Sequence, residues 1–128
     1  MNRIVLDASV ILAVLHRERG YEKLTPELLS GAVASTVNLA EVQAKLVSQG
    51  WSDEEAWQDA TSPIREAVSF DAEQAKLTGN LVRQTRALGL SLGDRACLAV
   101  AATLNAPVYT ADKKWKNFKI GAPIHSIR

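Results

Sequence analysis

The chain has 128 residues, 47% of them hydrophobic, and a formal net charge of +1. That length suits a domain with a packed core, one that buries about two-thirds of the surface its unfolded form exposes and needs no disulfide to fold. The single cysteine, Cys97, excludes an intrachain bridge and a zinc pattern and points to a reducing cytosol, while a net charge near zero singles out no class of partner.

The first twenty residues carry a short apolar run. Asp7 interrupts it, no small-residue cleavage site follows, and no stretch approaches the ~20 apolar residues of a membrane span. The segment reads as a buried strand, Ile4–Leu6, entering a helix that starts at Ser9 or Val10, runs to about Arg17 and is closed by Gly20. Pro26–Leu29 reads as a further helical turn and Ala32–Ser35 as a second strand. Thr36 is the expected N-cap of a helix running to about Gln49, with Gly50 just beyond. At 100° per residue, Val37, Ala40, Ala44 and Val47 form its expected core stripe, and Glu41 lies on the border. Ser52 or Asp53 then caps a helix over Asp53–Thr61, whose acidic first turn suits the macrodipole.

Val68–Phe70 reads as a third strand and Asp71–Ala87 as a long amphipathic helix with Gly79 as its weak point. Leu92–Leu104 is apolar nearly all round, as expected of a helix buried in a larger assembly. Pro107–Thr110 reads as a fourth strand, Ala111–Asn117 as a helical turn and Pro123–Ser126 as a fifth strand. No repeat, low-complexity tract or long linker divides the chain, so residues 1–128 read as one domain. Short apolar strands separated by helices define an α/β class with a mostly parallel sheet. Such a sheet places ligands in the crevice beyond its strand C-termini.

Four acids are placed to reach that crevice. Asp7 terminates Ile4–Leu6, and Asp112 follows the Val108-Tyr109-Thr110-Ala111 run. Asp94 lies in the first turn of the Leu92–Leu104 helix, beside Gly93, and Glu41 borders the core stripe of its own helix. Each also admits a plainer role. Asp7 and Asp112 are residues a turn favours, Asp94 complements a helix dipole, and Glu41 passes for a surface acid. Taken together they form a set of oxygen donors suited to Mg²⁺ or Mn²⁺, hard cations that take a few carboxylates and leave positions for water and phosphate. Such a site does hydrolytic work without a Ser/His/Asp set.

Charge is distributed unevenly. Residues 1–73 hold 12 acidic and 6 basic residues, whereas residues 74–128 hold 9 basic and 2 acidic ones, Asp94 and Asp112. A polarised chain can present a basic surface to a polyanion, although a solvated lysine face near the C-terminus accounts for the same numbers.

Four segments in order resemble the PIN-domain ribonucleases, and specifically the VapC toxins of prokaryotic toxin–antitoxin modules. They are residues 4–10 (IVLDASV), 35–42 (STVNLAEV), 90–99 (LSLGDRACLA) and 108–115 (VYTADKKW). The resemblance implies a PIN-like fold, a parallel sheet of four to five strands flanked by helices on both faces. It implies Mg²⁺- or Mn²⁺-dependent cleavage of RNA that leaves 3′-hydroxyl and 5′-phosphate ends. The family's four acids map onto Asp7, Glu41, Asp94 and Asp112, with no acid missing. Ser9 and Thr110 fall where the family places supporting hydroxyls, and Asn38 lies one helical turn before Glu41. The implied partners are a VapB-type antitoxin and a second copy of the chain, in the cytoplasm and away from any membrane.

Other residues divide between roles. Arg95 adjoins Asp94, to orient it, pair with it or meet a phosphate, and Lys113, Lys114, Lys116 and Lys119 follow the last acid, where RNA phosphates would be held. Trp115 is expected as a buried anchor before a base-stacking platform. Trp51 and Trp57 suit either a core or a partner surface, and His16, His125 and Cys97 read as structural. Four other functions come into view. A phosphoacceptor receiver domain would need paired acids after the first strand, and a haloacid-dehalogenase-like phosphatase a second Asp two residues beyond Asp7, where Ser9 stands. A PIN-like RNA-processing nuclease outside toxin systems, or a non-catalytic RNA-binding module, would share the fold.

Overall fold

The structure is a computed structural model that describes residues 2–115, 121 and 123–128. Lys116, Lys119, the Lys114 side chain and the end of the expected Ala111–Asn117 turn lie outside the described residues.

Five strands, β1 (Ile4–Leu6), β2 (Ala32–Ser35), β3 (Glu66–Val68), β4 (Val108–Thr110) and β5 (Ile124–Ser126), form one sheet in the order β3-β2-β1-β4-β5. Every pairing is parallel, and Val5 faces both Val33 of β2 and Val108 of β4 across the ladder. Side chains alternate across the sheet as the pleat requires. Ile4, Leu6, Ala32 and Ala34 join one apolar cluster, and Val5, Val33 and Val108 join another. Each face therefore has its own core. The first lies beneath α1 (Ala8–His16), α3 (Thr36–Ser48) and α4 (Asp53–Thr61), the second beneath α7 (Leu92–Leu104), with α5 (Ala72–Asn80) packed on α7.

Three expectations are corrected. The core face of α3 consists of Asn38, Leu39, Val42 and Leu46, while Ala40 and Ala44 are exposed and Val47 is 40% exposed. Both stripes satisfy helical periodicity; the one with two leucines buries more apolar surface and is turned inward. The third strand lies two residues earlier than the apolar run indicated. Its register with β2 is fixed at Val33↔Glu66 through Ser35↔Val68, and Asp71 is already occupied as the N-cap of α5, accepting from Gln74 N–H at 2.9 Å. As an edge strand with exposed Glu66 and Ala67 it carries no hydrophobic signal. The long helix breaks after Asn80 into α5, a short α6 (Val82–Thr85) and a 3₁₀ turn over Arg86–Leu88, ended by Gly89 at φ +65°.

Smaller differences concern the caps. Asp7 itself caps α1, and Arg17, left-handed at φ 53°, closes it. Gly20 lies beyond, pressed against the Ile127 carbonyl, where a Cβ would sit at 2.1 Å. Ser35, not Thr36, caps α3; the Thr36 hydroxyl accepts from Phe70 N–H at 3.0 Å. The apolar α7 is buried inside this fold. No single helix among the described residues is long and apolar enough to cross a membrane.

Strand order locates the crevice. The chain steps outward from β1 to β2 and β3, then returns to the other side of β1 with β4. The switch point lies between β1 and β4, whose C-terminal ends carry Asp7 and the Thr110–Asp112 turn.

Candidate active site

Asp7 is 4% exposed and both of its carboxylate oxygens are engaged. Oδ1 accepts from the Ser9 hydroxyl at 2.6 Å and from Val10 N–H at 2.9 Å, and Oδ2 accepts from the Thr110 hydroxyl at 2.6 Å. Burial nonetheless lifts the carboxyl to about 6, because desolvation outweighs the lowering by those three donors, and Asp94 adds repulsion. The two hydroxyls reach further. Ser9 Oγ accepts from Ala111 N–H at 3.0 Å and Thr110 Oγ1 from Asp112 N–H at 2.9 Å, so the β4 turn that carries Asp112 is fastened to Asp7 twice. Asp112 is half-buried there.

Glu41 stands on the exposed side of α3 but its carboxylate turns to α7. Buried Asn38, one turn earlier, donates from Nδ2 to Glu41 Oε1 at 2.9 Å and to the Gly93 carbonyl at 3.0 Å. Asp94, half-buried in the first turn of α7, completes a capping box with Ser91. Its Oδ2 accepts from Ser91 N–H at 2.9 Å while Ser91 Oγ accepts from Asp94 N–H at 3.2 Å. The dipole-complementing role open to Asp94 in the sequence is therefore one that it fills.

Three of the acids act electrostatically on one buried neighbour. The buried Cys97 thiol is pushed well above its usual range, by desolvation first and then by Asp7, Asp94 and Glu41 in that order. A site with carboxylates and hydroxyls around it, and neither imidazole nor thiolate among the donors, fits a hard divalent cation. As the side chains stand, no three His, Cys, Asp or Glu residues among the described ones are gathered closely enough to hold an ion. Each of Asp7, Glu41 and Asp94 is held by a neighbouring protein donor, with which a cation would compete.

The expected phosphate contacts are placed differently. Arg95 makes no ion pair with Asp94; its Nη1 donates to the Thr78 carbonyl at 3.1 Å and ties α7 to α5. Lys113 is exposed in a 3₁₀ turn after Asp112, and Trp115 is fully buried in the second core, an anchor and not a stacking platform. A groove that the basic-tail reading missed leads away from Ser9, lined by Leu12, His16, Glu18, Lys45, Gln49 and Arg128. Lys45 follows Glu41 by one turn of α3, a helical spacing visible in the sequence once Glu41 is placed. Trp51 and Trp57, at 39% and 47% exposure, flank the α3–α4 junction.

The sequence matches the PIN domain family over residues 4–121, and the chain belongs to that family. Its fold is similar to that of a toxin–antitoxin complex from Klebsiella pneumoniae, at TM-score 0.77 and 15% identity over 98% of each chain. It is also similar to DNA-bound VapBC from Salmonella typhimurium, at TM-score 0.76 and 15% identity over 100% of each chain. The VapC20 toxin of Mycobacterium tuberculosis, which cleaves the sarcin–ricin loop, aligns at TM-score 0.72 and 15% identity over 94% of this chain and 98% of that one. A comparison with curated protein sequences gave no match.

Proposed function

We propose that the chain is a single-domain VapC-type toxin, a metal-dependent endoribonuclease that hydrolyses RNA phosphodiester bonds and leaves 3′-hydroxyl and 5′-phosphate ends. One observation carries this reading: at the switch point of a PIN fold, buried Asp7 is fastened through the Ser9 and Thr110 hydroxyls to the turn that bears Asp112. A receiver domain or a dehalogenase-like phosphatase would use a different acid pattern. The structural neighbours that are toxin–antitoxin complexes support a VapB-type antitoxin as partner; a homodimer in the cytoplasm belongs to the same proposal.

In this reading Asp7, Glu41, Asp94 and Asp112 hold Mg²⁺ or Mn²⁺. Such an ion, when bound, supplies the positive charge that makes water a nucleophile near neutral pH and offsets charge developing on the phosphate. The protein supplies the rest. Ser9 and Thr110 fix both oxygens of Asp7, Asn38 fixes Glu41, and the β4 turn carries Asp112 to the same crevice. Lys45 and His16 line a path on which flanking phosphates would lie, where Arg128 is paired with Glu18 at 3.0 Å, and Lys113 and Lys114, which follow Asp112 in sequence, would add further contacts. Arg95 would reach a phosphate only by releasing Thr78.

Incubation of the purified protein with a pool of structured RNAs, with Mg²⁺, Mn²⁺ or EDTA and beside Asp7→Asn, tests the reading. Discrete products bearing 5′-phosphates, formed only with metal and only by the native chain, are expected. Cleavage that survives EDTA or Asp7→Asn rejects it.

A further inference from the structure

Gly93 is an odd residue for its place. It sits in the first turn of α7 with no left-handed backbone angle to demand glycine, and glycine weakens a helix relative to alanine. What a side chain there would meet is specific. A Cβ on Gly93 would lie 2.4 Å from Glu41 Oε1, 2.4 Å from Oε2 and 2.6 Å from Cδ, and these are its three nearest neighbours. The missing methyl group is filled by the carboxylate of an acid from another helix.

Asn38 ties that acid to the same glycine. Its buried Nδ2 bridges Glu41 Oε1 and the Gly93 carbonyl, which fixes the amide orientation, since both neighbours are acceptors. Asn38 Oδ1 is buried without a partner among the described residues, so this amide is not placed for its own satisfaction. An acid on the exposed side of a helix would otherwise sample several rotamers. Seated against Gly93, it lies beside the residue that directly precedes Asp94.

We propose that Gly93 and Asn38 are positioning residues for Glu41: the absent side chain at 93 forms the seat, and the Asn38 amide forms the latch that holds the carboxylate at the N-terminal turn of α7. The glycine is thus required by the site and not by the helix. The assignment of Glu41 as a metal ligand rests on the nuclease reading above; the seat itself does not.

The decisive variant is Gly93→Ala, because the obstructing atoms end a flexible side chain and the fold can accept the methyl group by expelling Glu41. Three measurements read it. The melting temperature of the metal-free variant should equal or exceed that of the native chain. In ¹H–¹⁵N spectra of the metal-free protein the Asn38 side-chain amide should move, with changes confined to α3 and the start of α7. Affinity for Mn²⁺ alone should fall by about tenfold or more, match that of Glu41→Gln, and fall no further when the two changes are combined. A large drop in melting temperature, an unmoved Asn38 amide, native Mn²⁺ affinity or additivity with Glu41→Gln would each overturn the proposal. If the native chain itself binds no Mn²⁺, the nuclease reading fails, and the Asn38 amide still decides the seat.

Discussion

The Thr110 hydroxyl donates to Asp7 Oδ2 at 2.6 Å, joining β4 to β1 across 103 residues of sequence at the point where the strand order reverses. Thr110 Oγ1 also accepts from Asp112 N–H, so one buried hydroxyl orders two of the four acids. Thr110→Val keeps the shape and removes both bonds. Charge-assisted bonds of this kind are worth about 1.5–3 kcal/mol. The variant should therefore be destabilised on that scale in chemical denaturation, and Thr110→Ser should recover most of the loss. Because this donor lowers the Asp7 pKa, its removal should move the acid limb of the cleavage rate to higher pH.

Asp7 also sets a pH signature in the metal-free protein. Its folded pKa, about 6, lies above the ordinary 3.8, so the native state holds this proton more tightly than the unfolded state does. Its contribution to stability is full below pH about 4 and declines as pH rises to about 6. At about 1.4 kcal/mol per pH unit the loss is about 3 kcal/mol at most. Denaturation in EDTA from pH 4.5 to 7.5 should show this decline, and Asp7→Asn should flatten it. A native chain whose profile matches that of Asp7→Asn would contradict the assignment.

Asp94 has two roles that substitutions separate. Asparagine retains an oxygen for Ser91 N–H; alanine does not. Asp94→Asn should leave the metal-free melting temperature nearly unchanged, whereas Asp94→Ala should cost about 1 kcal/mol through loss of the cap. Both should abolish cleavage. Calorimetry of the two variants beside an RNA digest checks the split, and strong destabilisation by Asp94→Asn would make Asp94 a structural cap alone.

Much of this was legible in the residues, for physical reasons that differ by element. Asp7 and Asp112 follow buried apolar strands, and a parallel sheet leaves little choice about where such residues go. The Asp53–Thr61 helix carried its boundaries in Ser52 and in three acids at its start. Glu66–Val68 did not, because an exposed edge strand is chosen by its partner's register and not by hydrophobicity. The inward face of α3 was misread because two apolar stripes share one periodicity and only tertiary packing ranks them. Arg95 beside Asp94 left orientation, an ion pair and a phosphate contact all open, because sequence adjacency does not say which face a helical side chain takes; Arg95 found Thr78. Gly93 was the missed signal: a glycine inside a helix with no turn to make was already a mark of close approach.

Lys45 offers a test of the substrate path. Lys45→Ala should weaken binding of an RNA substrate to the cleavage-dead Asp7→Asn chain and lower the salt dependence by about one counterion. Unchanged affinity would place the RNA elsewhere, and the tail beginning at Lys113 would then be the surface to alter.

The central claim is that acids from β1, α3, α7 and the β4 turn form one divalent-metal site. Titration of Mn²⁺ into the metal-free protein, followed by electron paramagnetic resonance, tests it most directly. The native chain should bind Mn²⁺, and Asp7→Asn, Glu41→Gln and Asp94→Asn should each weaken binding by about tenfold or more while remaining folded. Native affinity retained in all three variants would contradict the account.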